Sequence, residues 1–407
     1  MEHPRPPDYS SVERIVRAEM ASRDKNREPH LRVSEKELLK GVADNPPVIF
    51  SHAATELGHR LNHFNFNSSS SEESVIITAS PMPQFPKRKS NLVAKLKSPE
   101  VFEQEEAVIS LRSITRTREE TRASLCTPRL LSFLRSLIVS RYAVVQTNAG
   151  ASLVNLSLEK SNKVKIVRSG FVPCLIDVLK GGCTESQEHA AGALFSLALD
   201  DDNKMAIGVL GALQPLMYAL RSESERTRHD SSLALYHLTL IESNRVKLVK
   251  LGAVPTLMTM MNSRSSANRV LLILCNLAVC PEGQTAMLDA NAVETLLGML
   301  RGNELDSEST RENCIAALYA LSHGSWRFKG LAMEANAIEV LKEVEEKGSR
   351  RAKEKAKRML QMMRAGVDGE EDEEVDWDRG LESGGLSRTR YRVGGGRNMN
   401  AANSTTF

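Results

Sequence analysis

The chain repeats itself. From Asn148 to Gly302 one pattern recurs four times: an L-x-x-L landmark, a polar link, a short amphipathic turn, a Gly or Asn, and a second apolar run. The leading Leu falls at Leu153, Leu194, Leu235, Leu274 and Leu318, with spacings of 41, 41, 39 and 44 residues. The Gly/Asn position falls at Gly170, Gly211, Gly252, Asn291 and Asn336, spaced 41, 41, 39 and 45. Two independent landmarks that keep one period constrain the fold more than any local propensity. A unit of about 40 residues cannot bury its own apolar face, so the units must stack into a linear array with a shared core.

The apolar spacing within each unit is helical. SNKVKIVRSG predicts a short helix that Gly170 ends by adopting φ > 0. Pro173, Pro215 and Pro255 then sit in the first turn of the next helix, where a missing N–H costs little. Asn291 and Asn336 replace the Gly, and Asn is the next residue to tolerate a left-handed backbone. After Gly182 a longer helix carries Ala190, Ala193, Leu194, Leu197 and Leu199. Three helices per unit, the first one short, distinguish armadillo repeats from two-helix HEAT repeats. An incomplete unit opens the array with Leu92, Val93 and Leu96, then Ala107, Val108, Leu111 and Ile114. A full unit follows from about Thr117, with Leu130, Leu131, Leu134, Leu137 and Ile138 on its middle helix, and four more run to about Ser322. The last helix sets Arg351, Lys353, Lys355, Lys357 and Arg358 against Met359, Leu360, Met362 and Met363, a polar outer face that ends the stack. The expected fold is an all-α, right-handed superhelical solenoid of armadillo repeats over residues 90–365. Aromatic residues make up only 4% of the chain, which suits close packing of helices through small and aliphatic side chains.

The flanks read differently. Residues 1–89 are expected to be an N-terminal segment and flexible linker, with a serine run from Ser68 to Ser71 and prolines at 81, 83 and 86. His52, His59 and His63 fall in it without a completing ligand, so they read as solvated rather than metal-binding. Pro86-Lys87-Arg88-Lys89 matches a minimal nuclear import signal. Residues 366–407 are expected to be a disordered tail, acidic first and then rich in Gly and Arg. A net charge of +3 gives no ground for nucleic acid as the main partner. Cys126, Cys174, Cys183, Cys275, Cys280 and Cys314 show no C-x-x-C spacing and read as reduced. No apolar run approaches the ~20 residues of a membrane span. A cytoplasmic protein, with the nucleus as a second location, is the expectation. No P-loop, G-x-S-x-G, H-E-x-x-H or G-x-G-x-x-G is present, and Asp200-Asp201-Asp202 stands where a helix begins, as acidic caps do. No catalytic residue, cofactor or metal is expected.

The repeats resemble the armadillo domain of plant U-box ubiquitin ligases. PRPPDYSSVERIV resembles the segment that follows the U-box in the subgroup with a short N-terminal U-box, and LLKGVADNPPVIFSHAATELGHRLNHFNF resembles that subgroup's linker. The resemblance covers about residues 4–365. It implies that the array selects substrate proteins in its concave groove while a U-box holds the ubiquitin-conjugating enzyme. The family's F-x-C-P-I-T opening and D-P-V loop have no counterpart in this sequence, through truncation or as a natural form. A conjugating enzyme is therefore expected only if a U-box lies upstream, and the chain alone is expected to be inactive as a ligase. The expected function is a protein-binding scaffold that recognises substrates for ubiquitination. The alternative is a non-catalytic armadillo adaptor, or a competitor of full-length ligases. The resemblance also nominates groove positions on the third helices: Ser113, Asn155, Ser196, His237, Asn276 and Ala320. Import receptors place Trp four residues before such an Asn, whereas Ala151 and Leu272 stand there in this chain. The stacking slots for a basic signal are thus missing.

Overall fold

The computed structural model describes residues 92–261, 264–302 and 308–364, with the backbone alone at 264–266. The readings made above for residues 1–89 and 366–407 lie outside the described residues. A helical turn at 92–96 and α1 (Val101–Thr117) open the array. Six three-helix units follow among the described residues. The first holds α2 (Thr121–Leu125), α3 (Pro128–Ile138) and α4 (Ala143–Ser157). The second holds α5 (Lys160–Arg168), α6 (Phe171–Gly181) and α7 (Thr184–Ala198). The third holds α8 (Asp201–Val209), α9 (Leu213–Ala219) and α10 (Glu225–Leu238), and the fourth α11 (Glu242–Lys250), α12 (Ala253–Met260) and α13 (Arg264–Leu277). The fifth holds α14 (Pro281–Asp289), α15 (Ala292–Arg301) and α16 (Glu308–Ser322), and the last α17 (Trp326–Glu334), α18 (Ala337–Lys347) and α19 (Arg350–Arg364).

Each third helix packs on the one before it, from α1 on α4 to α13 on α16. The described residues form an all-α armadillo-type solenoid, as the period predicts. The landmark leucines Leu153, Leu194, Leu235, Leu274 and Leu318 are all buried, within one apolar core that runs from Leu92 to Met363. The punctuation between first and second helices is also as expected. Gly170 and Gly252 sit at φ 78° and 72°, and Asn291 and Asn336 adopt the same left-handed backbone at 56° and 49°. Asp200 caps α8 by accepting from the Asp202 N–H at 3.1 Å. Four of the six cysteines are buried and none forms a disulfide, but Cys183 is exposed at the start of α7.

Small residues bring the third helices together. A Cβ on Gly150 would lie 3.1 Å from the Cβ of His189, and one on Gly192 would lie 3.1 Å from Oδ2 of Asp230. The stack α4–α7–α10 is therefore close.

Candidate functional site

The six positions nominated from the sequence form one column, one per third helix, but most of them face the neighbouring helix. Asn155 is only 5% exposed. Its Nδ2 donates to the Arg112 carbonyl at 3.3 Å and to Thr115 Oγ1 at 3.2 Å, both on α1. Asn276 repeats this on α10, donating to the Tyr236 carbonyl at 3.2 Å and to Thr239 Oγ1 at 3.0 Å. Ser196 is buried, donates to the Ser157 carbonyl at 3.1 Å and accepts from Lys163 Nζ at 2.9 Å. Ala320 is buried, and its carbonyl accepts from Gln284 Nε2 at 2.9 Å. His237 is half-buried, 5.8 Å from the Phe195 ring and 5.2 Å from Tyr236. Ser113 alone is exposed. Asn155, Ser196 and Asn276 are thus rivets between successive third helices. Asn155→Ala and Asn276→Ala are each expected to cost about 1–3 kcal/mol, since each removes a buried donor from two acceptors. Thermal melts of the single variants check this, and unchanged midpoints would refute the rivet role.

A second column was not anticipated from the sequence. Asn162-Lys163, Asn203-Lys204 and Asn244-Arg245 recur every 41 residues on the first helices. The Asn side chains donate to the last carbonyls of the preceding third helix: Asn162 to Leu156 at 3.0 Å, Asn203 to Leu197 at 3.1 Å, and Asn244 to Leu238 at 2.9 Å. Two of the three cations do the same one residue on. Lys163 Nζ reaches the Ser157 carbonyl at 2.7 Å and the Ser196 carbonyl at 2.8 Å, and Arg245 reaches Thr239 at 3.1 Å, whereas Lys204, also buried, pairs with the Asp201 carboxylate of its own helix. The last carbonyls of a helix lack partners within it and carry the negative end of its dipole, so a buried cation fits there. Burial pushes the Lys163 amine down to about 8, against the favourable charges of Asp200 and Glu159. In the next unit Gly283 replaces the Asn, and no side chain would fit between it and the Leu277 carbonyl. The sequence carried the signal, an Asn-Lys/Arg pair at the repeat period, but its residue types read as ordinary solvated helix surface.

The charged groups that remain partly accessible on the third helices lie mostly in their first halves, with Arg112 further along α1. There the charges alternate and bridge one unit to the next. Arg112 Nη1 donates to Asn148 Oδ1 at 3.0 Å and stands 3.8 Å from Glu185. Arg226 lies 3.6 Å from Glu188 and 3.9 Å from Asp230, and Arg269 pairs with Glu225 at 2.7 Å. Between them His189 is buried, and burial pushes its pKa down, so the ring is neutral near pH 7. Among the described residues no group of His, Cys, Asp and Glu is arranged to hold a metal ion. The face offers guanidinium, carboxylate and amide groups in a line, which is the equipment of recognition.

A family model described as "Armadillo/beta-catenin-like repeat" matches residues 160–199, the span of α5 to α7. Among curated proteins, U-box domain-containing protein 38 of Arabidopsis thaliana is 53% identical over 99% of this chain and 80% of its own length. U-box domain-containing protein 41 of the same plant is 49% identical over 100% of this chain and 82% of its own length. U-box domain-containing protein 40 is 52% identical over 99% and 77%. Among solved structures, an engineered protein superposes with a TM-score of 0.62 at 26% identity, covering 68% of each chain. A designed armadillo repeat protein in complex with the peptide (KR)4 superposes with a TM-score of 0.51 at 22% identity, over 57% of this chain and 98% of its own. No described helix is long and apolar enough to cross a membrane.

Proposed function

Since the chain belongs to the family of U-box domain-containing proteins that carry armadillo repeats, we propose that its solenoid recognises proteins for ubiquitination by docking them along the third-helix face. The observation that carries this reading is the alternating row from Arg112 to Arg269, which leaves charged groups of successive units partly accessible on the third-helix face. Each unit adds a few contacts to an extended partner, so affinity and selectivity accumulate along the array. The rivets and the buried cations serve that row by fixing the spacing between third helices.

A photoreactive side chain placed at Arg226 tests the reading, with Tyr218, 67% exposed on the second helix α9, as the control position. Proteins captured from plant extract at 226 and not at 218 are then offered to a U-box-bearing relative together with ubiquitin, activating enzyme and conjugating enzymes. The expected result is ubiquitination of the captured set, and its suppression by excess of this chain's third-helix face. Equal capture at the two positions, or captured proteins that are never modified, would overturn it. The same mixture without the relative reports whether this chain assembles ubiquitin chains itself.

A further inference from the structure

The last third helix breaks the charge balance of the row. Residues 350–364 hold seven cations and one carboxylate, Glu354. Burial fixes the register of α19 on the preceding unit: Ala352, Ala356, Met359, Leu360 and Met363 are buried as Thr310, Cys314, Ala317, Leu318 and Leu321 are, 42 residues earlier. In that register Arg351, Lys355 and Arg358 continue the face where α16 carries Ser309, Asn313 and Ala316. Upstream, each Arg of the row has a carboxylate across the joint. Here the supply runs short. Arg358 takes Glu354 at 2.8 Å and also donates to the Tyr319 hydroxyl at 3.3 Å. Glu312, the nearest acid of α16, is bonded to Ser349 Oγ. Lys355 is half-buried, and burial pushes its amine down, with Arg351 and Arg358 adding to the push and Glu354 and Glu312 opposing it.

A solenoid end needs only a polar outer face, and the mixed charges of α18 would supply one. Like charges three and four apart on one helix instead destabilise it. The geometry suits one kind of partner. Side chains three or four apart on a helix are ~5–6 Å from one another, close to the ~6.6 Å between alternate residues of an extended chain. Alternate carboxylates of an extended peptide therefore fall opposite Arg351, Lys355 and Arg358, and guanidinium forks bind carboxylates in pairs. We propose that this end of the third-helix face binds an acidic, extended segment of a partner protein; the proposal rests on the groove reading and names the chemistry of one stretch of it. A nucleic acid is the poorer fit, because the chain as a whole carries only +3.

The test uses the full chain with Gln at each acidic position from Glu370 to Asp378, so that the assay contains a single acidic segment. The probe is a fluorescein-labelled (Glu-Ser)5 peptide, read by anisotropy at low and physiological salt, beside (Lys-Ser)5 and a labelled oligothymidylate. The expected result is saturable binding of the Glu peptide alone, weakened at least tenfold in Arg351→Glu/Lys355→Glu/Arg358→Glu and unchanged in Arg221→Glu. Arg351→Glu by itself is the second variant, because Arg351 is exposed and its replacement leaves the packing of α19 intact. A Glu-peptide affinity that ignores both variants, or tighter binding of the oligothymidylate, would overturn the proposal. Capture at Arg226 with no Glu-peptide binding removes only this inference. Glu-peptide binding without capture removes the broader reading.

Discussion

Arg245→Ala is expected to lower the stability of the array by about 3–5 kcal/mol, among the largest effects of any single substitution in this chain. Arg245 is the largest fully buried side chain among the described residues. It donates to the carbonyls of Thr239 and Leu240 just past the end of α10, at 3.1 and 3.3 Å. Ala leaves both acceptors without their donor, at about 1–3 kcal/mol each, and opens a cavity around them. In a solenoid the loss is local, because each unit touches only its neighbours. Hydrogen exchange should therefore quicken first in α10 and α11, while α4 and α5 keep their protection. Arg245→Met separates the two contributions. It refills most of the volume and restores no hydrogen bond, so a Met variant near wild type would show that packing, not the capped carbonyls, sets the cost. Arg221→Ala, at an exposed position, should change the midpoint by less than ~0.5 kcal/mol. If Arg245→Ala were equally mild, the buried cation column would not be holding the stack.

This column also marks the limit of what the sequence revealed. The period, the three helices of each unit, the left-handed Gly and Asn and the acidic cap at Asp200 all follow from local chemistry. A left-handed residue or a first-turn proline means the same thing wherever it stands. Which face of a helix meets a partner is not local. Asn155 and Asn276 were nominated as groove residues by the resemblance, and their carboxamides, which both donate and accept, suit a peptide backbone. That chemistry also serves to bolt one helix to the next, and the choice is made by how near the next helix lies. Gly150 and Gly192 show the same close approach in the α4–α7 and α7–α10 joints, and nothing in the landmark itself announces it. Lys163 and Arg245 were overlooked for the mirror-image reason: charged residues on a short helix read as solvent-facing until the helix ends they cap are known. The charged row from Arg112 to Arg269 is assembled from residues in different units, and only the stacking registers them.

Acid should loosen the array before it changes any ligand. Burial pushes His237 down to about 4, with Lys204 adding to the shift and Asp201 opposing it, while Phe195 and Tyr236 enclose the ring. The unfolded chain takes up this proton near pH 6.5. Below that pH the unfolded state is protonated first, so the stability present above pH 6.5 is lost as pH falls towards 4, by at most ~3 kcal/mol for this residue. Burial pushes His189 and His323 down as well, and they steepen the fall in the same direction. Melting midpoints followed from pH 8 to 4.5 should be flat at the alkaline end and drop steadily below about 6.5. His237→Gln keeps a polar side chain in the joint between α7 and α10 and removes the titration, so its midpoint should fall less between pH 7 and pH 5. An unchanged slope in that variant would assign the acid sensitivity to other groups. Because the ring is neutral at neutral pH, His237 adds no charge to the third-helix face there. Its protonation acts on the spacing between units, and through that spacing on every contact the face makes.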